Sequence, residues 1–198
     1  MVPTYRVSHL AAYARWRDQE DLGVGFLHSQ IFSDESTDAQ VRGTAFHKAL
    51  EMAVEGEHST VEAMGYTFAF TCNAEISLPH TREIRRSKDY GGIIVSGQCD
   101  GLEGRRIIDH KTVSGGFDAE YHLDGFQDKF YLDIFDADRF DWHVWEVGEM
   151  KDTPRAFEVY AHHPLTQYRY PGMAEDCRLL AVEFRDFAAR MGWKGKAA

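Results

Sequence analysis

Cysteine is scarce in this sequence. Only Cys72, Cys99 and Cys177 are present, far apart and never in a C-x-x-C pair. An odd, scattered set of this kind argues against a disulfide framework, a zinc ribbon and an iron–sulfur cluster, and it predicts reduced, mostly buried thiols. Long apolar runs are missing as well. Nothing approaches the ~18 consecutive apolar residues that span a bilayer, and the opening Met1-Val-Pro-Thr-Tyr-Arg6 lacks the apolar core of a secretory signal, so a cytoplasmic protein with no membrane partner is expected. There is no internal repeat, no low-complexity segment and no Walker-type G-x-x-x-x-G-K-[ST] motif. Positive charge is also in deficit: 22 Lys and Arg against 32 Asp and Glu leave a formal net charge of -10. That balance is adverse for a partner such as DNA, because affinity for a phosphate backbone comes mostly from neutralising it with Lys and Arg.

What remains is the make-up of an ordinary globule. At 198 residues, 43% hydrophobic and 27% charged, the chain can bury one sizeable core, and a single domain over residues 1–198 is expected. Asp38 to Glu57 reads as a helix start followed by an amphipathic helix, with Phe46, Ala49, Leu50 and Ala53 at i, i+3, i+4, i+7. His47 lies on the flank of that stripe, beside Glu51 one turn later. Asp118 to Phe135 reads as another helix with a stripe of Leu123, Phe126, Phe130 and Ile134, and Gln127 and Tyr131 stand one turn apart at its edge. Taken alone, each of these flanking polar residues reads more readily as a boundary residue of the core than as a ligand. Trp142 to Val147 and Ala156 to Tyr160 look like strands, about Pro171 to Met191 like a closing helix, and the tail after Trp193 like disordered chain. The order of elements predicts a mixed α/β (α+β) fold with a central mixed sheet flanked by helices. Its core is expected at about 43–165, after a helical N-terminal segment of 1–42.

The chemistry concentrates between Asp100 and Lys111. Ile93, Ile94 and Val95 lead into Asp100, Ile107 and Ile108 lead into Asp109, and Gly104 supplies the backbone freedom of a tight turn, which predicts an antiparallel hairpin. With Glu103-Gly104 as turn residues, Asp100 falls opposite Ile107 and diagonal to Asp109, roughly 7–8 Å away. Period-two alternation places Ile107, Asp109 and Lys111 on the same face. Two carboxylates that close repel unless a cation lies between them, and hard oxygen donors suit Mg2+ or Mn2+. Lys111 could then orient a nucleophile or stabilise phosphorane charge. A solvated hairpin face with an Asp–Lys ion pair accounts for the spacing equally well.

The charge is unevenly distributed. Between Glu75 and Lys111 seven Lys or Arg face six Asp or Glu, and Arg82, Arg85, Arg86 and Lys88 cluster just before the hairpin, where a loop could grip a strand. If these basic residues form one wall of a groove, a ring or dimer that concentrates several such patches is one way for an acidic chain to hold DNA.

Four short motifs, in order, carry a family resemblance over about residues 43 to 131. Gly43-Thr-Ala-Phe-His47 continues into Lys48-Ala49-Leu50-Glu51 on a helix. Gly97-Gln-Cys-Asp100 and Asp109-His110-Lys111-Thr112 follow on strands, and Gln127-Asp-Lys-Phe-Tyr131 lies on a later helix. This series resembles the RecB-type branch of the PD-(D/E)XK nucleases, and Tyr5 to Tyr13 is similar, more loosely, to the first helix of that family. The resemblance implies that His47, Asp100, Asp109 and the backbone carbonyl of His110 bind Mg2+ or Mn2+. It implies that Lys111 is the catalytic amine, that Gln127 and Tyr131 support the site or touch DNA, and that Glu51 supports it. It further implies metal-assisted hydrolysis of DNA, as linear duplex or single strand, by a phage-type exonuclease similar in class to lambda exonuclease, with a homo-oligomer and a single-strand annealing or binding protein as partners. Cys99 stands where the superfamily name has proline, and Asp109 where many members have glutamate. A nuclease-like fold turned binding module, an endonuclease of the same fold and a hydrolase of some other substrate stay open.

Overall fold

The computed structural model describes the chain except residues 1, 20, 34–35, 54–58, 74–75, 77, 195 and 198. The elements in chain order are β1 (Pro3–Arg6), α1 (Val7–Asp18), α2 (Val24–Phe32), α3 (Asp38–Met52), β2 (Thr60–Ala63), β3 (Tyr66–Phe70), β4 (Thr81–Asp89), β5 (Ile94–Glu103), β6 (Arg106–Val113), α4 (Ala119–Leu123), α5 (Gln127–Phe135), β7 (Arg139–Glu149), β8 (Ala156–Tyr168), α6 (Met173–Arg190) and β9 (Lys196–Ala197). Among the described residues nine strands form one mixed sheet in the order β2-β3-β8-β7-β6-β5-β1-β9, with β4 paired to the other edge of β5. The expected mixed sheet flanked by helices is present. Among the described residues no helix is long and apolar enough to cross a membrane.

Alternation along β7 shows how the sheet divides the interior. Phe140, Trp142 and Val144 join a core with α1, α5 and α6, built around Leu10, Phe130, Leu132 and Phe184. Trp145 enters a second core, with Phe46, Ala49 and Leu50 of α3 and Phe68 of β3. Successive strand residues face opposite sides, so α3 and α5 pack on opposite faces of the sheet. The predicted α3 stripe is thus buried as expected. The helix begins at a capping box in which Gln40 N–H donates to Thr37 Oγ1 (3.2 Å) and Thr37 N–H donates to Gln40 Oε1 (2.8 Å). Residues 54–58, which the reading to Glu57 included, lie outside the described residues.

Several boundaries differ from expectation. Asp118 to Phe135 is two helices: Asp118 caps the five-residue α4, and α5 starts afresh after Gly125-Phe126, since glycine in a helix interior costs about 1 kcal/mol relative to alanine. β8 runs on to Tyr168 because it pairs with β7 along its whole length, as far as Arg139 opposite Tyr168. Backbone of the expected disordered tail pairs antiparallel with β1, Thr4 opposite Lys196.

The hairpin turn lies one residue further along than predicted, which moves each cross-strand partner by two. Glu103 pairs with Arg106, Leu102 with Ile107 and Gly101 with Ile108. The turn residues are therefore Gly104-Arg105, with Gly104 at φ +60° in the first central position, where a two-residue turn of this kind calls for glycine. The pairing stops at Gly101. Continuing the same count sets Asp100 directly across from Asp109 rather than diagonal to it. Beyond that point β5 leaves β6 and pairs with β1, Ile94 opposite Thr4, so the two strands splay apart where both carboxylates stand.

Candidate active site at the splayed hairpin

Splaying leaves backbone groups of β6 without a strand partner, and the side chain of Asp100 fills in for one. Its Oδ2 accepts the His110 N–H at 2.7 Å, while its Oδ1 lies 3.0 Å from His47 Nδ1 on α3. Burial alone would raise the pKa of Asp100; the His47 hydrogen bond and charge, with Lys111 and His110, outweigh it and hold the carboxyl at about 2. Asp109 is the opposite case. It is only 2% exposed, and burial, reinforced by the Asp100 charge, pushes its pKa up to about 6 despite Lys111 and His47. Lys111 Nζ forms a 2.5 Å ion pair with the buried Asp109 Oδ2, which has no other hydrogen-bond partner among the described residues. Burial would lower the pKa of Lys111, but the Asp109 and Asp100 charges outweigh it and raise it.

The motif residues before and after the hairpin position this pair of acids. A Cβ on Gly97 would come within 2.8 Å of the Tyr131 ring, so that glycine lets α5 lie directly on β5. There Tyr131, buried, donates its hydroxyl to the Gln98 carbonyl at 2.8 Å. Tyr131 therefore supports the strand that carries Asp100. Gly43 brings α3 over β6, with Thr112 Oγ1 3.7 Å from where a Cβ would stand. Glu51 forms a 2.7 Å ion pair with Lys48 and, with His47, Asp100 and Glu83, lines a small cavity on the α3 side. Gln127 instead lines a cavity of about 570 Å³ on the α1 side, together with Lys111.

The basic cluster is a correction. Arg82, Arg85, Arg86 and Lys88 lie on strand β4, not on a gripping loop. Arg82 donates to the Leu50, Glu51 and Ala53 carbonyls at 3.2, 2.8 and 2.9 Å, capping the C-terminus of α3 as a cation does well. Arg85 holds Gln98 Oε1 at 2.6 Å. Arg86 and Lys88 turn to α5, on the Phe135 carbonyl at 3.2 Å and the Asp133 carboxylate at 2.9 Å. Period two sets only Arg85 apart from the others; Arg82 parts from Arg86 and Lys88 along the strand, beyond Glu83 with its φ of +55°.

The α1-side cavity holds residues that the sequence did not point to. Arg15 of α1 donates from Nη1 to Tyr121 Oη at 2.6 Å, and Lys111 Nζ stands 5.6 Å from the centre of the Trp142 ring. Spacing could not have revealed them, because α1, α4 and β7 meet here from distant stretches of chain.

As to a metal, the donor set is of the right kind: a buried Asp109 and a half-buried Asp100 that repel each other, and an imidazole. As they stand, His47 closes on Asp100 and Lys111 on Asp109, and among the described residues no three His, Cys, Asp or Glu side chains converge on one point. The residues fit a hard divalent cation by chemistry.

Fold and site together define a class: a mixed α/β protein whose central mixed sheet is flanked by helices, with two carboxylates at the splay of a hairpin. The chain is similar to the crystal structure of a "Putative exonuclease" from Eubacterium rectale, with 10% sequence identity, 96% of this chain and 82% of that chain covered, and a TM-score of 0.53. It is also similar to the crystal structure of SSO0001, at 15% identity, with 93% and 76% covered and a TM-score of 0.50. At these identities the likeness is one of fold. No family model matches the chain, and no curated protein matches its sequence.

Proposed function

We propose that the protein is a divalent-metal-dependent DNA nuclease, an exonuclease of the RecB-type, lambda exonuclease-like class with a phage-type role in end processing, recombination or repair. The observation that carries this reading is the pair of carboxylates at the splay point, with Asp109 buried and ion-paired to Lys111. His47, Asp100, Asp109 and the His110 carbonyl would hold Mg2+ or Mn2+. Such an ion makes bound water a better nucleophile and offsets charge on the leaving oxygen. The chain's own residues do the rest. Asp100, held ionised, fixes the His110 backbone and the His47 ring together. Lys111 would set a positive charge where an attacked phosphate gathers negative charge. Tyr131 and Gly97 keep β5 in place.

One observation favours a second reading. The mutual closure of His47 on Asp100 and Lys111 on Asp109 also suits an inactive, nuclease-like DNA-binding module. Titrating Mg2+ or Mn2+ against a fluorescent linear duplex, a single strand and a closed circle separates the readings. Metal-dependent loss of the linear forms with the circle intact supports an exonuclease. Cutting of the circle would mean an endonuclease, and no loss of any substrate would leave the binding module.

A further inference from the structure

Natural sheets keep their edge strands short or guarded, because an open edge is a template for pairing. Among the described residues β2 and β9 end the sheet with four and two residues, whereas β4, which pairs with β5 alone, has nine. Its inner side is matched to β5 from Thr81 to Asp89, and among the described residues no backbone hydrogen bond from another element reaches its outer side. Glu83, at φ +55°, turns the backbone out of the extended conformation. The open row of N–H and C=O groups therefore runs from Ile84 to Asp89, about 20 Å at the usual rise of a strand. Two guanidiniums flank it. Arg85 and Arg86 are successive and stand on opposite faces, and both are exposed. Each is held by a neutral oxygen, Arg85 by Gln98 Oε1 at 2.6 Å and Arg86 by the Phe135 carbonyl at 3.2 Å, and among the described residues neither is paired with a carboxylate. Part of the five-donor fork of each stays free. Lys88, on the face of Arg86, is already paired with Asp133 at 2.9 Å.

Charge and backbone together select the occupant. A second copy of β4 would lay Arg85, Arg86 and Lys88 beside the same cations, and like charges across a strand pair are destabilising. DNA would meet the guanidiniums but has no main chain to complete the open ladder. An extended polypeptide rich in Asp and Glu does both, pairing through its backbone and offering carboxylates to arginines on either face. We infer that the outer edge of β4, from Ile84 to Asp89, docks an extended acidic segment of a partner protein as an added strand of the sheet. The net charge of -10 repels such a segment from the rest of the surface and so sharpens the choice of this edge. β4 pairs on its inner side with β5, the strand that carries Asp100, so the partner is held beside the hairpin without entering it. Such docking is independent of the nuclease chemistry.

The test is fluorescence anisotropy in EDTA with a labelled peptide of about seven residues, made of glutamate and valine. A second probe is the same peptide N-methylated at alternate residues, which keeps every charge and removes the main-chain donors along one edge. The wild type should bind the first probe and lose about tenfold or more in affinity for the second, since three hydrogen bonds go. Arg85→Gln combined with Arg86→Gln, its fold checked by circular dichroism, should weaken binding by about two- to thirtyfold, as two exposed ion pairs are removed. Arg155→Gln, at an exposed arginine in the loop between β7 and β8, should change nothing. Equal affinity for the two probes would overturn the inference even if the double variant failed to fold. Undiminished binding by a folded double variant would overturn it too, as would no binding by the wild type up to about 1 mM. Two further outcomes would give the edge to another occupant and refute the acidic segment: a dimer by light scattering that the double variant abolishes, or a DNA duplex that binds in EDTA through these arginines while the peptide does not.

Discussion

Gly97→Ala tests the physical basis of the strand motif that ends in Asp100. The new Cβ would lie 2.8 and 3.2 Å from Tyr131 Cε1 and Cδ1 and 3.1 Å from Val7 Cγ2, where carbon atoms prefer ~3.5–4.0 Å. The ring has little room to yield. Its hydroxyl is tied to the Gln98 carbonyl at 2.8 Å, and its plane packs against Phe135 and Phe140 with centroids 6.0 and 5.8 Å away. Overpacking of this kind costs about 1–3 kcal/mol. Replacing glycine also restricts the unfolded chain, which returns up to ~1 kcal/mol. The net destabilisation of about 1–2 kcal/mol corresponds to a fall in Tm of roughly 2–8 °C for a chain of this size, read by thermal denaturation followed by circular dichroism. The loss should shrink in a Tyr131→Leu background, because the clash partner is gone and the two substitutions are coupled. An unchanged or higher Tm, or the same loss in both backgrounds, would refute the reasoning.

Other outcomes follow from the same structure. Asp128 is 1% exposed and its Oδ1 has no hydrogen-bond partner; burial raises its carboxyl from 3.8 to about 6. A raised acid costs stability as pH climbs from the unfolded pKa through the folded one, so above about pH 6 Asp128→Asn should be more stable than wild type by about 3 kcal/mol. Below about pH 4 that advantage should vanish, and urea unfolding at both pH values checks it. Arg82→Ala should destabilise by about 1–3 kcal/mol through the three carbonyls it leaves unsatisfied. The salt dependence of DNA binding should not change, whereas a phosphate contact would lower the slope by about one. Lys111→Ala should abolish metal-dependent turnover while leaving the fold intact by circular dichroism; retained turnover would remove Lys111 from the mechanism.

Where the sequence misled, three-dimensional context explains it. The hairpin announced itself through two apolar runs and one glycine, but placing the turn at Glu103-Gly104 instead of Gly104-Arg105 moved Asp100 from opposite Asp109 to a diagonal. Period two makes every such slip change the neighbours on a face. β4 looked like a basic loop because, as an edge strand with most of its residues open to solvent, it carries almost no apolar signal. What its arginines do depends on helix ends and carboxylates far away in sequence. The α3 stripe and α6 were legible because long periodic helices bury one face. Tyr131 was legible in its order among the motifs with support of the site as one of its two expected roles, and the Gly97 contact and the Gln98 hydrogen bond show how it braces β5. Arg15 and Tyr121 had no sequence signal at all, since α1 and α4 meet only in the folded chain.

The central claim is that Asp109 and its neighbours form a metal-dependent hydrolytic site. It is tested most directly by comparing Mn2+-dependent degradation of a linear DNA by wild type and by Asp109→Asn, which keeps the shape and removes the charge. The account predicts robust wild-type degradation that stops in EDTA, and a loss of about a hundredfold or more in the variant. Equal rates for the two proteins, or degradation that persists in EDTA, would contradict it.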